Sequence, residues 1–379
     1  MQSPVGSYHS GILTLIFLIL MAVGLANLYS AGAEDLYFQA QLRHVLVGFV
    51  SFIVFGWLIP VRHVNTYSYL FFAFIVIALL VVLVLGHTAG GAQRWIRLGP
   101  FRFQPSEMAK LAMALMVAKF FYHNRNISSY SLKDLWPMLG MAALIFVLIF
   151  KQPDFGTAGI CILIAACQLA FIRIRIGFKA IMSIGLLGLI TSVIGWNFLL
   201  RPYQKLRILN LLNPNLDPSG SGYNSLQSLV AIGSGKQFGK GFLQGTQTQL
   251  QFLPARHTDF IFSVFAEEHG FWGCTIIFIL FTSLSYIALE IARESRDCFN
   301  SLLAVGVSAI IFVEFTLNVA MVLGMFPVVG MPLPFFSYGG SALLTVCIAI
   351  GLLISIDREN AAGSRSKKLD GYQVQKSYY

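Results

Sequence analysis

The feature that most limits this chain is a succession of ten apolar runs separated by mostly short polar connections. In a bilayer no water can satisfy free N–H and C=O groups, so a chain that crosses repeatedly does so as helices. The runs fall at about 11–30, 45–60, 66–86, 107–122, 137–150, 157–172, 178–200, 260–290, 301–325 and 337–356. The expected fold is an all-α polytopic membrane protein of about ten transmembrane helices, with a large extracytoplasmic loop between helices 7 and 8. The fourth to sixth runs are shorter than the ~20 residues needed to cross alone, which places them inside the bundle or tilted. Composition agrees: 56% of residues are hydrophobic and 11% charged, against about a quarter charged in soluble domains. A net charge of +10 does not point to nucleic acid, because the charges are scattered over short loops rather than gathered in a basic domain.

Lys and Arg counts orient the bundle. One set of connections holds Arg62, Arg125, Lys133, Arg173, Arg175, Lys179, Arg293, Arg296 and five more in the tail, thirteen in all. The short loops opposite hold Arg43, Arg94, Arg97, Arg102 and Lys151, five in all. By the positive-inside rule both termini are cytoplasmic. Residues 1–360 are expected to form one membrane domain, and 361–379 a basic, disordered cytoplasmic tail. The first run lacks a basic segment before it and reads as a retained span. Segments 87–106, 151–156, 201–259 and 326–336 then face outward.

Those outward segments carry the reactive side chains. The 59-residue stretch 201–259 is too long for a passive link. Its run Gly233, Gly235, Gly239, Gly241, Gly245 departs from a Walker A loop and fits turns better than a phosphate cradle. It ends in Arg256, His257, Thr258 and Asp259, just before an apolar run. Asp259 is open to two readings, a helix N-cap or a general base at the lipid interface beside cations. In RWIRLGPFRFQPSEMAK, Arg94, Trp95, Arg97 and Arg102 precede a good helix start, and Glu107 and Lys110 are spaced to pair. Asp154 in KQPDFGTA fits a turn or cap as well as a site. In PVVGMPLPFFSYGGSA, prolines and glycines break any helix, and Ser337 and Tyr338 offer hydroxyls. Glu314 and Asn318 lie i, i+4 inside a span, where a carboxylate is either functional or an interhelical hydrogen-bonding group.

Five motifs together resemble a known family. QRWIRLGPFRFQPSEMAKL, KQPDFGTA, NPNLDPSGSGYNSLQSLVAIGSG, LPARHTDFIFSVFAEEHGF and PVVGMPLPFFSYGGSA are similar, in order, to the signatures of the SEDS proteins (shape, elongation, division and sporulation). GKGFLQGTQTQLQFLPARHTDFIF and MFPVVGMPLPF resemble the elongation branch rather than the division branch. Ala255, His269 and Phe326 depart from the usual pattern, and none of these removes a reactive charge. The resemblance implies a peptidoglycan glycosyltransferase that polymerises lipid II at the periplasmic face, working with a class B penicillin-binding protein and other elongation-complex membrane proteins. It assigns the family's essential aspartate to Asp259, and its QPSE-x-x-K and QPD-x-GT motifs to Glu107 with Lys110 and to Asp154 with Thr157. On this reading the substrate-binding set is Arg94, Trp95, Arg97, Arg102, Glu107, Lys110, Asp154, Thr157, Arg256, His257, Thr258, Ser337 and Tyr338. No organic cofactor is expected and no protein metal ligands are assigned, although a divalent cation (Mg or Mn) could accompany the pyrophosphate. The rival classes are a flippase or transporter for the lipid-linked precursor, which helix breaks and buried charge would suit, and a non-catalytic scaffold.

Overall fold

A computed structural model describes residues 5–32, 35–89, 92–98, 101–125, 127, 129–175, 177, 188, 194–213, 217, 220–250, 252–253 and 255–376. Apolar helices dominate: α1 (Val5–Ser30), α2 (Asp35–Ile53, continued by one π-turn, Val54–Leu58), α3 (Val61–Leu85), α4 (Pro105–His123), α5 (Trp136–Lys151) and α6 (Phe155–Leu169). After the long loop come α9 (Ile261–Glu294), α10 (Cys298–Val322) and α11 (Gly340–Lys376). Six of these are long and apolar enough to cross a membrane, and α5 and α6 are shorter apolar helices. The seventh expected span, 178–200, lies largely outside the described residues.

Helix α4 is the axis of the bundle. Sixteen of its residues are buried, including Glu107 and Lys110, and α3, α6, α10 and α11 pack around it. A helix buried on every side needs no polar stripe, and the short apolar run here reflects that position rather than an incomplete span. Helices α1, α2 and α11 form one flank and α5 with α6 the other. Exposed apolar side chains are dense on α2 and α3, among them Leu46, Leu58, Leu70, Val84 and Leu85.

Several boundaries differ from those expected. Helix α2 begins about ten residues early, because its first turns, DLYFQAQLRH, are polar yet helical. Helix α11 continues past its apolar run, which ends at Ile356, to Lys376, where a disordered tail was expected. Extending an existing helix requires no new nucleation, so a polar tail can continue it. The segment 87–106 is not an irregular loop: β1 (His87–Ala89), β2 (Ala92–Leu98) and β3 (Phe101–Phe103) form an antiparallel sheet in sequence order, with Arg97 opposite Arg102. Strands this short, interrupted by arginines, leave little periodicity to read. The long loop holds α7 (Pro202–Leu212), α8 (Ser221–Ser234) and a single helical turn, Thr246–Gln249.

Candidate active site

On the loop-bearing face the β-sheet, the α5–α6 turn, α7, the residues before α9 and the segment 329–342 enclose a cavity of about 610 Å³. Of the residues singled out from sequence, Arg94, Trp95, Glu107, Asp154, Thr157, Thr258, Asp259 and Tyr338 line it. Separate segments of the chain thus supply one wall each.

Two of these walls are a single unit. Ser337 Oγ donates to the Thr258 carbonyl at 2.6 Å and accepts from Leu333 N–H at 2.8 Å. Tyr338 N–H donates to the His257 carbonyl at 2.9 Å. From α10, Asn318 Nδ2 donates to the carbonyls of Asp259 (2.9 Å) and Met331 (2.6 Å). The Asp259 backbone is therefore held by a buried amide in a span. At Gly330, with φ +71°, a Cβ would lie 3.3 Å from Asp259 Oδ2, so glycine lets the carboxylate rest beside the chain.

Asp259 does not cap α9; the N-cap is Phe260, with no side-chain cap bond. Its carboxylate makes no hydrogen bond or ion pair with a described residue and is partly buried in the cavity wall. Burial pushes its pKa up to about 6, while Arg207 and Arg94 pull it down and Asp154 pushes it up. A carboxyl poised there can take a proton near neutral pH.

Asp154, by contrast, is occupied. It accepts from Thr157 N–H (3.5 Å), Ser106 Oγ (3.2 Å) and Gln104 Nε2 (3.3 Å), and faces Arg94 at 3.6 Å. It is the N-cap of α6. Arg94 also donates to the Gln152 carbonyl at 3.1 Å and to that of Pro153. These two residues brace the α5–α6 turn against the sheet.

Other candidates lie off the cavity. Lys110 is buried between Glu107 (2.7 Å) and Glu314, joining α4 to α10. Glu314, the group that most favoured a transporter, is thus locked in an ion-paired cluster. Arg256 turns away and donates to the Ala31 carbonyl at 2.6 Å, tying the end of α1. His257 stacks on Tyr37, with ring centroids 5.3 Å apart. Arg102 is exposed, its carbonyl accepting from Ser341 Oγ at 3.4 Å. The Arg97 side chain lies outside the described residues. Tyr203, Arg207, Gln104 and Ser341 line the cavity unforeseen. Only the basic, aromatic start of α7 hinted at the first two.

The family model for cell cycle proteins of the FtsW, RodA and SpoVE type matches residues 7–362. The chain is a SEDS protein, of the FtsW/RodA/SpoVE family. It is 39% identical over 359 residues to the peptidoglycan glycosyltransferase MrdB of Escherichia coli K12, covering 93% of this chain and 94% of MrdB. It is 35% identical over 359 residues to stage V sporulation protein E of Bacillus subtilis, covering 92% and 96%. A solved chain from "Structural coordination of polymerization and crosslinking by a peptidoglycan synthase complex" matches with TM-score 0.78 at 27% identity, covering 92% of this chain and 97% of that one. The rod shape determining protein RodA of Thermus thermophilus shares the fold with TM-score 0.68 at 24% identity, over 92% and 96%. The protein has the RodA-like fold, all-helical in its spanning part, with about ten transmembrane helices.

In this SEDS chain the glycine-rich run packs rather than cradles phosphate. Helix α9 is kinked at Gly270, φ +63°. Lys240 N–H and Gly241 N–H donate to the carbonyls of Glu267 and Glu268, both at 3.0 Å. Phe271 and Trp272 N–H donate back to Lys236 (2.9 Å) and Gln237 (3.2 Å). The backbone groups freed by the kink are thus re-satisfied by the loop. Buried Glu267 accepts from Lys240 Nζ (2.7 Å) and Gln247 N–H (3.0 Å), fastening the same loop from its far side. A Cβ on Gly270 would lie 2.8 Å from the Gln237 carbonyl.

Proposed function

We propose that this chain is a peptidoglycan glycosyltransferase that polymerises lipid II into glycan strands during elongation, with Asp259 as general base. The observation that carries the reading is a carboxylate with no hydrogen bond or ion pair to a described residue, its pKa raised to about 6, in a cavity shared with Arg94 and Arg207. Kinship with MrdB supports the reaction. Asp259 takes the proton of the acceptor GlcNAc 4-hydroxyl as its oxygen bonds to C1 of the donor MurNAc. The C1–O bond to undecaprenyl pyrophosphate breaks from the opposite side, inverting C1. Help of this kind is typically worth ~10²–10⁴-fold.

The pyrophosphate leaves with its charge countered by guanidiniums at the cavity edge. A divalent cation (Mg or Mn) would meet the carboxylates of Asp259, Asp154 and Glu107 on the cavity wall, the last two already engaged by other groups, and would draw its remaining oxygen ligands from the pyrophosphate and water. Among the described residues no three His, Cys, Asp or Glu side chains group as metal ligands. From the protein side, Arg94 and Arg207 counter the leaving charge, alongside any such cation. On the charge rule, the site faces outward and both termini are cytoplasmic. A class B penicillin-binding protein would supply crosslinking, in keeping with the synthase-complex relative.

The test incubates purified full-length protein with labelled lipid II and resolves the products by size. Glycan ladders from wild type and none from Asp259→Asn support the assignment. Near-normal ladders from Asp259→Asn would remove Asp259 from the chemistry. Lipid II translocation in vesicles without polymer would favour the flippase.

A further inference from the structure

A second, smaller pocket of about 90 Å³ abuts the main cavity and shares Arg94, Tyr203 and Arg207 with it. Apart from those residues and Gln204 its walls are apolar, with Phe155, Ile208 and Phe326 among them. Phe155 is 42% exposed on the flank of the bundle, so this pocket sits at the edge of the lipid-facing surface. A polar cavity and an apolar pocket therefore meet at two guanidiniums.

These guanidiniums are not equivalent. Arg94 is committed to the carbonyls of Gln152 and Pro153 and to Asp154. Arg207 makes no direct ion pair with a described acid, its charge reaching Asp259 only across the cavity, and its contact is with the face of the Tyr203 ring, 5.7 Å to the centroid. It is partly buried and makes no ion pair with a described residue, so its guanidinium fork remains open to a further anion at this junction. An unpaired guanidinium between a polar and an apolar compartment fits a ligand with a multivalent anion between a polar group and a hydrocarbon.

We infer that Arg207, braced by Arg94, is the pyrophosphate seat for a polyprenyl-linked donor. The first isoprene unit enters the 90 Å³ pocket, and the sugar lies on the Asp259 side. This rests on the glycosyl-transfer reading and adds polarity to it: the donor enters from the Phe155–Phe326 side, and the acceptor occupies the part of the cavity nearer Asp259. In the measure in which one water needs ~10–15 Å³, the small pocket has the space of several waters, enough for one branched five-carbon unit. Phe326, which departs from the family pattern, is part of that wall.

The probe is farnesyl pyrophosphate, titrated against full-length protein in detergent, with inorganic pyrophosphate and farnesol as controls. Wild type should bind it at least about tenfold more tightly than either control. Arg207→Ala should weaken it by about tenfold or more, and Arg207→Lys should restore part of that, because a point charge replaces the fork. Phe326→Ser should weaken farnesyl pyrophosphate and leave inorganic pyrophosphate unchanged. Equal affinity in wild type and Arg207→Ala, with matching melting curves, overturns the seat. So does inorganic pyrophosphate binding as tightly as the farnesyl form. Wild type that shows this binding pattern yet makes no glycan supports the seat while overturning the transferase reading.

Discussion

Replacing Asp259 by Asn should abolish polymerisation and at the same time stabilise the protein. Burial holds the Asp259 carboxyl at about 6 against an ordinary 3.8. At about 1.36 kcal/mol per pH unit, keeping it ionised at pH 7.5 costs at most about 3 kcal/mol of folding stability. Water in the cavity reduces the realised figure. The sign follows from proton binding. Between pH 3.8 and about 6 the folded state binds more protons than the unfolded state, so the penalty grows as pH rises through that window and is fully present above it. At pH 5 it falls to about half its value at pH 7.5. Asn carries no charge and escapes the penalty at every pH. The assay is thermal unfolding of both proteins in one detergent, followed by tryptophan fluorescence at pH 7.5 and pH 5. The variant should melt a few degrees higher at pH 7.5, and the gap should narrow by about half at pH 5. A variant that melts at or below wild type at pH 7.5, or a gap independent of pH, would refute a desolvated carboxylate at this position.

The polymerisation rate under saturating lipid II should fall about tenfold per unit below pH 6, as Asp259 takes up a proton before it can accept the substrate's; a flat profile between pH 5 and 7 would count against it. Asn318→Leu removes the amide that holds the Asp259 and Met331 carbonyls, so single-turnover rates should drop 10-fold or more, by the order, with lipid II binding little changed. Lys110→Met leaves two buried carboxylates facing each other and should cost about 3–5 kcal/mol, whereas Glu314→Gln keeps the Lys110–Glu107 pair and should cost less, measured by denaturation in detergent. Gly270→Ala puts a Cβ against the Gln237 carbonyl at positive φ; limited proteolysis should then cut faster within 236–245, and unchanged cutting would show that the loop is not held there.

Motif order made Asp259, Glu107 and Asp154 legible, since each sits in a contiguous string that can be matched residue by residue. Their jobs were not legible. Asp154 turned out to be a cap and a brace, while Asp259, equally suited to capping by its place before a helix, caps nothing. Arg256 neighbours Asp259 in sequence and points to α1 instead, whereas Arg207, fifty-two residues upstream, faces the same cavity.

The amino-acid sequence by itself determined the solvent this protein lives in, the approximate number of spans and the collection of polar motifs on one face. Each of those follows from how single residues partition between water and hydrocarbon, which is additive and local. Tertiary structure decided which polar groups share a cavity and which charges are left unpaired there. Convergence depends on how α4, α10 and the loop helices rotate and pack against one another, and that packing is set by contacts between residues far apart in the chain. For this reason the missed cation, Arg207, and the buried amide that fixes Asp259, Asn318, became meaningful only once the helices were assembled.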